Sequence, residues 1–310
     1  MPLDPSAAEL LKQMASAGMP ALDTLSPQAA RAQMTAMQKA RGGAVEPVHK
    51  VDNRTIPGPA GPIAVRVYTP AGAGPFPLLV YYHGGGWVIG DLESHDNVCR
   101  SLTNQAQCVT VSVDYRLAPE HKFPAAVDDA YAAALWVAEH ARELNGDSAQ
   151  LAVGGDSAGA SLSAVLAHLA RDRGKPGICF QLLIYPATDP LLDTESRRVN
   201  TEYLLTPGMI RYFYSHYIRT DADLKDPLLS PAHASNFRGL PPALIITAEY
   251  DPLRDEAEVY GETLRKAGVP VEMTRYNGMF HGFFGMGEFL EKGKQAVAQA
   301  AQALRRAFGK

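Results

Sequence analysis

Short apolar runs rich in β-branched and aromatic residues alternate along this chain with longer stretches in which apolar residues recur at helical spacing. Runs such as LLVYY and LAVGG are apolar throughout, which is typical of parallel strands buried on both faces. The predicted strands are residues 63–69, 77–83, 108–115, 151–155, 179–186, 243–250 and 271–277. The predicted helices are residues 6–17, 26–41, 94–106, 124–143, 158–173, 252–267 and 287–308, with Ser6 and Ser26 as N-caps of the first two. This alternation predicts a doubly wound α/β fold whose site lies at the carboxyl ends of the strands.

One segment, residues 187–231, interrupts the alternation. It is polar at both ends, and its middle carries a group of aromatic residues, Tyr203, Tyr212, Phe213, Tyr214 and Tyr217. We interpret the segment as an insertion that folds over the sheet. Aromatic residues at helical spacing are compatible with ordinary packing as well as with a ligand pocket, and the sequence leaves both interpretations open.

Composition and charge narrow the class of protein. With 310 residues, 46% of them hydrophobic, the chain can fill a sizeable core in one large domain or two smaller ones. Its 29 Lys and Arg residues oppose 33 Asp and Glu residues without forming a basic cluster, so we expect no nucleic-acid partner. Neither a leader-like N-terminus nor a long apolar run is present, and we expect a cytoplasmic protein without stable membrane association. Cys99, Cys108 and Cys179 form no CxxC pair and are expected to be reduced, buried thiols.

The strongest chemical signal is GDSAG, residues 155–159, which lies directly after a predicted strand and directly before a predicted helix. A sharp turn between strand and helix exposes a serine hydroxyl above the sheet, and glycines on both sides keep other side chains out of the turn. Ser157 is therefore the candidate nucleophile. A similar sequence, GDSA from Gly146, lacks the last glycine and precedes the strand, so we interpret Ser148 as a turn residue.

A second motif, HGGGW at residues 83–87, ends the strand predicted at 77–83. Successive glycines let backbone amides converge on one point, as stabilisation of a tetrahedral oxyanion requires, and the amide of Ala158 is the expected partner donor. No GxGxxG or GxxxxGK[ST] phosphate-binding pattern is present. We assign His83, Gly84 and Asp156 to support of this loop, because a histidine inside such a loop is better suited to fixing its shape than to proton transfer.

A serine hydroxyl becomes a useful nucleophile only when a histidine accepts its proton and a carboxylate orients that histidine. The chain order expected for this fold is serine, acid, histidine. Only His281 follows the last predicted strand, and we interpret the seven histidines other than His83 and His281, His95 among them, as surface or local structure. Asp251, at the end of the strand 243–250, is the preferred acid, and an N-cap of the next helix is the alternative interpretation. Glu249 and Asp255 are the fallback acids.

Four motifs occur in order along the chain: HGGGW, DYRLAPEHKFPAA at residues 114–126, GDSAG, and DPLRDEA at residues 251–257 followed by a late HGF. Together they resemble the bacterial members of the hormone-sensitive lipase family of carboxylesterases, from about residue 81 to residue 281. The resemblance implies an α/β-hydrolase fold with a mostly parallel central sheet, helices on both faces and a helical cap. The catalytic domain would comprise residues 46–186 and 232–310, and the cap residues 1–45 and 187–231.

The resemblance also implies catalysis by Ser157, Asp251 and His281, with the amides of Gly85, Gly86 and Ala158 binding the oxyanion. It further implies short- to medium-chain ester substrates, no metal ion or other cofactor, and a homodimer formed through the last strand and helix. Because an imidazole with an ordinary pKa near 6.5 must be neutral to act as a base, hydrolysis should decline below roughly pH 6 to 7.

Other functions remain open on the sequence alone. The same site could act on amides, lactones, acetylated small molecules or longer-chain lipids. A non-catalytic receptor, like the plant gibberellin receptors that resemble this family, would lack the catalytic histidine, which is present here as His281. A partner-binding protein with a vestigial site would not be expected to keep the serine, the acid, the histidine and the glycine loop together.

Overall fold

An eight-stranded sheet forms the centre of the computed structural model, which describes residues 2–41 and 45–310. Its strands are β1 (Lys50–Gly58), β2 (Gly61–Thr69), β3 (Phe76–Tyr82), β4 (Val109–Asp114), β5 (Gly146–Asp156), β6 (Phe180–Ile184), β7 (Ala243–Tyr250) and β8 (Val271–Phe280). They lie side by side in the order β1-β2-β4-β3-β5-β6-β7-β8. The pairs β1–β2 and β2–β4 are antiparallel and the other pairs are parallel, which confirms the mostly parallel α/β sheet.

The helices are α1 (Pro5–Ser16), α2 (Pro27–Arg41), α3 (Asp96–Ala106), α4 (Ala125–Glu139), α5 (Ala158–Arg173), α6 (Glu195–Val199), α7 (Pro207–Tyr217), α8 (Arg254–Lys266) and α9 (Glu291–Ala307). The predicted N-cap Ser6 is wrong, because Asp4 caps α1 and accepts a hydrogen bond from the Ser6 amide (3.1 Å). Ser26 does cap α2, since its hydroxyl accepts the Ala29 amide at 3.2 Å.

The seven predicted strands are all present, but two features of the sheet differ from the prediction. β1 was not predicted, because only one of its nine residues is buried and it contains a proline, so the hydrophobic signal of a strand is weak there. β5 begins at Gly146, five residues before the predicted start, so Ser148 lies in a strand and its interpretation as a turn residue is wrong.

Successive side chains of β3 point to opposite faces of the sheet and belong to different cores. Leu78 and Val80 pack in the core that contains Leu162 of α5. Leu79 packs in the core that contains Leu304 of α9. Strands buried on both faces explain the continuous apolar runs in the sequence and the helices that cover the sheet on either side.

The parallel strands bring four loops to one edge of the sheet. His83 follows β3, Ser157 follows β5, Asp251 follows β7 and His281 follows β8. Because β3, β5, β7 and β8 run in the same direction, their carboxyl ends meet at this edge. The insertion, with α6 and α7, leaves the sheet between β6 and β7 at the same edge.

Candidate active site

Ser157 occupies the sharp turn between β5 and α5 with φ +54° and ψ −122°. A non-glycine residue in this region is strained by about 1–3 kcal/mol, and the Ser157 amide helps to hold the turn by donating to the Ile184 carbonyl oxygen at 2.8 Å. Gly159 cannot be replaced without displacing backbone, because a Cβ there would overlap the carbonyl oxygen of Tyr82 in β3. The flanking glycine of the motif thus allows α5 to start close against the sheet.

His281 connects this serine to Asp251. Its Nε2 lies 3.0 Å from Ser157 Oγ, and its Nδ1 lies 2.7 Å from Asp251 Oδ2. Asp251 is fully buried, and its other oxygen accepts the Leu253 amide at 2.8 Å. Since the carboxylate can only accept a hydrogen bond, Nδ1 carries a proton and Nε2 is left to accept the proton of the serine.

Neither fallback acid lies at this histidine. Asp255 accepts the Ser196 amide (2.8 Å) and pairs with Arg254 (2.7 Å). Glu249 accepts the Gly278 amide at 2.6 Å. The structure therefore brings together Ser157, Asp251 and His281, the three residues that the sequence analysis preferred.

Tyr185, which the sequence analysis did not single out, packs against the imidazole. The centroid of its ring lies 4.5 Å from that of His281, and the residue is buried with φ +38°. Contact with a buried ring restricts the orientation of the imidazole. Tyr185 directly follows β6. Its position at the carboxyl end of a predicted strand is the sequence feature that could have indicated a place in the site.

The glycine loop that follows β3 lines the same cavity as Ser157. Gly85 has φ +119°, and a Cβ there would overlap the carbonyl oxygen of Ile89, so only glycine fits the turn. Among the described residues, the amides of Gly85 and Gly86 have no protein acceptor. Ala158 is the first residue of α5, and its amide has no acceptor within the helix. These three amides are available to a negatively charged oxygen near Ser157.

Side chains below the loop hold it in place. The His83 imidazole is buried, stacks on the Tyr115 ring at 4.3 Å, and donates from Nδ1 to the Gly84 carbonyl oxygen at 2.8 Å. Burial lowers the pKa of His83 to about 4, so the ring is neutral at pH 7. Asp156 accepts the Gly84 amide at 3.1 Å. The structure thus places all three loop-support residues in one network.

The interpretation of His95 as surface or local structure is wrong. His95 is largely buried, and its Nε2 lies 3.0 Å from a carboxylate oxygen of Asp156. The pairing escaped the sequence analysis because the two residues are 61 positions apart and no motif joins them. Proximity of His95 to the HGGGW motif was the one available signal.

A cavity of about 540 Å³ opens onto Ser157 and His281. Its wall combines residues of α1 and α2 with residues of the insertion and of the strand ends, among them Leu204, Leu205 and Phe213. The lining includes six of the nine methionines in the chain, Met14, Met19, Met34, Met37, Met209 and Met286. No Lys or Arg lies among the described residues that line it.

The aromatic group of the insertion divides between packing and the cavity. Tyr203, Phe213 and Tyr214 line the cavity, whereas Tyr217 is buried and stacks on Trp87 at 4.5 Å. Both interpretations left open by the sequence therefore apply, to different residues.

Three further findings concern the whole described chain. Within residues 2–41 and 45–310, no group of three or more His, Cys, Asp and Glu side chains is arranged to hold a metal ion. No helix in that part of the chain has both the length and the apolar character needed to cross a membrane. The three cysteines are free thiols, of which Cys179 is only half-buried, contrary to the prediction that all three are buried.

Comparison with known proteins shows that this chain is similar to hydrolases. The model of a protein family with the alpha/beta hydrolase fold matches residues 79–285. The carboxylic ester hydrolase LipN of Mycobacterium tuberculosis is 47% identical over 266 residues, which cover 83% of this chain and 70% of LipN. The esterase LipI of the same organism is 43% identical over 84% of each chain. The solved structure of a hyperthermophilic esterase from the archaeon Pyrobaculum calidifontis superposes with a TM-score of 0.95 at 45% identity, and the match covers 99% of each chain.

Proposed function

The chain belongs to the α/β-hydrolase family and is a carboxylic ester hydrolase, and from this premise we propose that Ser157, His281 and Asp251 form its catalytic triad. The observation that carries the proposal is the continuous hydrogen-bonded connection from Ser157 Oγ through His281 to Asp251, at 3.0 and 2.7 Å. It lies beside three free amides and opens into an apolar cavity.

The proposed reaction proceeds in two acyl-transfer steps. Ser157 Oγ attacks the ester carbonyl carbon while His281 Nε2 takes its proton, and the amides of Gly85, Gly86 and Ala158 bind the oxyanion. The tetrahedral intermediate then expels the alcohol, which leaves with the proton from His281. Water attacks the acyl-enzyme by the same route, releases the carboxylic acid and restores the Ser157 hydroxyl.

The cavity supports uncharged esters with short to medium acyl chains as the substrates. Its volume lies in the range of small-molecule sites, and its wall is largely apolar. Because no Lys or Arg lines its described part, an anionic substrate would find no lysine or arginine to pair with there. Asp23 and Glu202 at the cavity would repel such a substrate.

Turnover of p-nitrophenyl acetate, butyrate, octanoate and palmitate by the purified protein tests this proposal. We expect the highest kcat/KM between acetate and octanoate and at least about tenfold lower activity on palmitate. Highest activity on palmitate would favour the long-chain lipid alternative. The absence of turnover on all four esters, together with hydrolysis of amides or lactones, would move the proposal to those substrates.

We also propose that residues 1–45 and 187–231 form a cap over the catalytic domain of residues 46–186 and 232–310. Residue 1 and residues 42–44 of this assignment lie outside the described residues. The shared cavity supports the cap, as does Arg31 of α2, which donates to the Val88 and Ala118 carbonyl oxygens at 2.8 and 2.7 Å. The side chain thereby fastens α2 to the segment that follows the glycine loop.

Two further proposals concern the setting of the enzyme. A cytoplasmic location is supported by the three free thiols, which suit a reducing compartment. A homodimer is supported by the position of β8 at the edge of the sheet, where a strand of a second chain could extend the sheet.

A further inference from the structure

A second group of serine, histidine and aspartate lies beside the glycine loop. His95 Nδ1 is 2.8 Å from Ser94 Oγ, and His95 Nε2 lies 3.0 and 3.2 Å from the two carboxylate oxygens of Asp156. The residue types match those of the proposed triad, but the two ring nitrogens have exchanged partners. All three residues line the substrate cavity, so a role as a second nucleophilic site has to be considered.

The contacts of Ser94 argue against a nucleophilic role. Its hydroxyl donates to the Asp91 carbonyl oxygen at 2.7 Å and accepts the Asp91 amide at 2.9 Å. Burial disfavours a charged His95, but the Asp156 carboxylate outweighs it and raises the pKa of His95 above its ordinary value of 6.5. A protonated imidazole donates from both nitrogens and cannot take a proton from the serine.

Asp156 connects this histidine to the loop. Its carboxylate accepts the Gly84 amide at 3.1 Å and the Tyr81 hydroxyl at 2.9 Å, in addition to His95. Burial alone would raise the pKa of Asp156, but the charge and hydrogen bond of His95 and the hydrogen bond from the Tyr81 hydroxyl hold it below the ordinary value. Asp156 is therefore a buried carboxylate whose one close cationic partner among the described residues is His95.

We propose that His95 is a positioning residue for ester hydrolysis: it fixes the Asp156 carboxylate, and through it the Gly84 amide, so that the next two amides of the loop face the oxyanion. The inference rests on the proposed function, because it takes the amides of Gly85 and Gly86 as oxyanion donors. A shift of the Gly84 peptide would displace both donors, since they directly follow it in the chain.

The surroundings of His95 set the pH range of this contact. Its ring centroid lies 5.7 Å from that of His83 and 6.2 Å from that of Tyr81, and Asp91 contributes a more distant negative charge. His83 is neutral at pH 7 and the buried Tyr81 stays protonated, so Asp156 is the dominant partner. The charged pair persists above the pKa of Asp156 and below that of His95. Rising pH should therefore weaken the hold on the loop when His95 loses its proton.

The test compares His95→Gln and His95→Leu with the wild type on p-nitrophenyl butyrate. Gln keeps a neutral donor toward Asp156, whereas Leu keeps none. We expect kcat to fall about tenfold in His95→Gln and further in His95→Leu, with KM within about twofold, because the loop acts on the transition state. The affinity for an alkyl trifluoromethyl ketone, which forms an oxyanion with the nucleophilic serine, should fall in parallel. The decline of wild-type kcat at alkaline pH should be absent in His95→Gln.

His121→Gln, the same change on an exposed histidine, is the matched control and should leave all these values unchanged. Should His95→Leu fail to fold, the Gln variant and the wild-type pH profile still decide the matter. Unchanged kcat and ketone affinity in His95→Gln would overturn the proposal, as would a lower melting temperature with unaltered kinetics. Labelling of Ser157 by a phosphonate separates this failure from a failure of the proposed function. If the proposal is overturned and Ser157 is still fully labelled in these variants, only the positioning role of His95 has failed. If Ser157 of the wild type is not labelled, the proposed function itself is rejected.

Discussion

The Asp251 carboxylate divides its two oxygens between the His281 imidazole (2.7 Å) and the Leu253 amide (2.8 Å), and it is fully buried. Each contact requires an acceptor, so the side chain specifies both the rotamer of the aspartate and the tautomer of the histidine. An amide in its place would present a donor to one of these groups. Replacement of the Asp251 carboxylate by an amide of the same size should therefore lower the activity and leave the packing intact.

We expect Asp251→Asn to lower kcat on p-nitrophenyl butyrate about 10⁴-fold with little change in KM, because the asparagine amide favours the wrong imidazole tautomer. Steady-state kinetics of the purified variant, with its melting temperature as a check on folding, measures the effect. Asp255→Asn is the matched control, since Asp255 bonds to Ser196 and Arg254 instead. Equal losses in the two variants would remove Asp251 from its proposed role.

At the scale of elements, the insertion is fastened to the catalytic part by a buried ion pair. Glu256 of α8 is almost fully buried and accepts the Thr188 amide at 2.7 Å on one oxygen. Its other oxygen pairs with Arg197 of α6, which also donates to the Pro190 carbonyl oxygen at 2.6 Å. Burial raises the pKa of Glu256, and Arg197 with the amide donors opposes the shift. The Glu256 carboxylate, whose charge Arg197 compensates, therefore holds the start of the insertion against α8.

Arg197→Met should destabilise the protein by about 3–5 kcal/mol at pH 8, because it removes the cation beside Glu256 together with the donors to the Pro190 and Asp189 carbonyl oxygens. The variant raises the folded-state pKa of Glu256 further above its unfolded value of 4.5, so the folded protein binds the proton more tightly. In the wild type the folded pKa of Glu256 is already raised to about 7, so the stability of both proteins falls in parallel between pH 4.5 and about 7. The deficit of the variant grows only above about pH 7, and it should be smaller at pH 5 than at pH 8.

Urea unfolding of the variant and the wild type at both pH values measures this deficit. Arg198→Met is the control, because Arg198 pairs with Asp193 at the exposed surface and its loss should matter little. A deficit that is equal at pH 5 and pH 8 would mean that Arg197 acts through packing and not through the charge of Glu256.

At the scale of the whole molecule, the seven predicted strands and the helices between them follow from the sequence, because buried parallel strands are apolar on both faces. β1 escaped prediction because it is exposed at the sheet edge. Ser157 and the glycine loop were predicted because their backbone turns require glycines at fixed positions, and His281 was predicted because it alone among the histidines follows the last predicted strand. The pairing of His95 with Asp156 and the shape of the cavity depend on contacts between distant segments, which no local pattern encodes.

The central claim is that one serine of this ester hydrolase becomes acylated. Incubation with a p-nitrophenyl alkylphosphonate, followed by intact-mass measurement and peptide mapping, tests it most directly. The account predicts one adduct per chain, on Ser157, with loss of activity in proportion to labelling and no adduct on Ser94. An unmodified Ser157 in a protein that still hydrolyses esters, or an inactivating adduct on another residue, would contradict it.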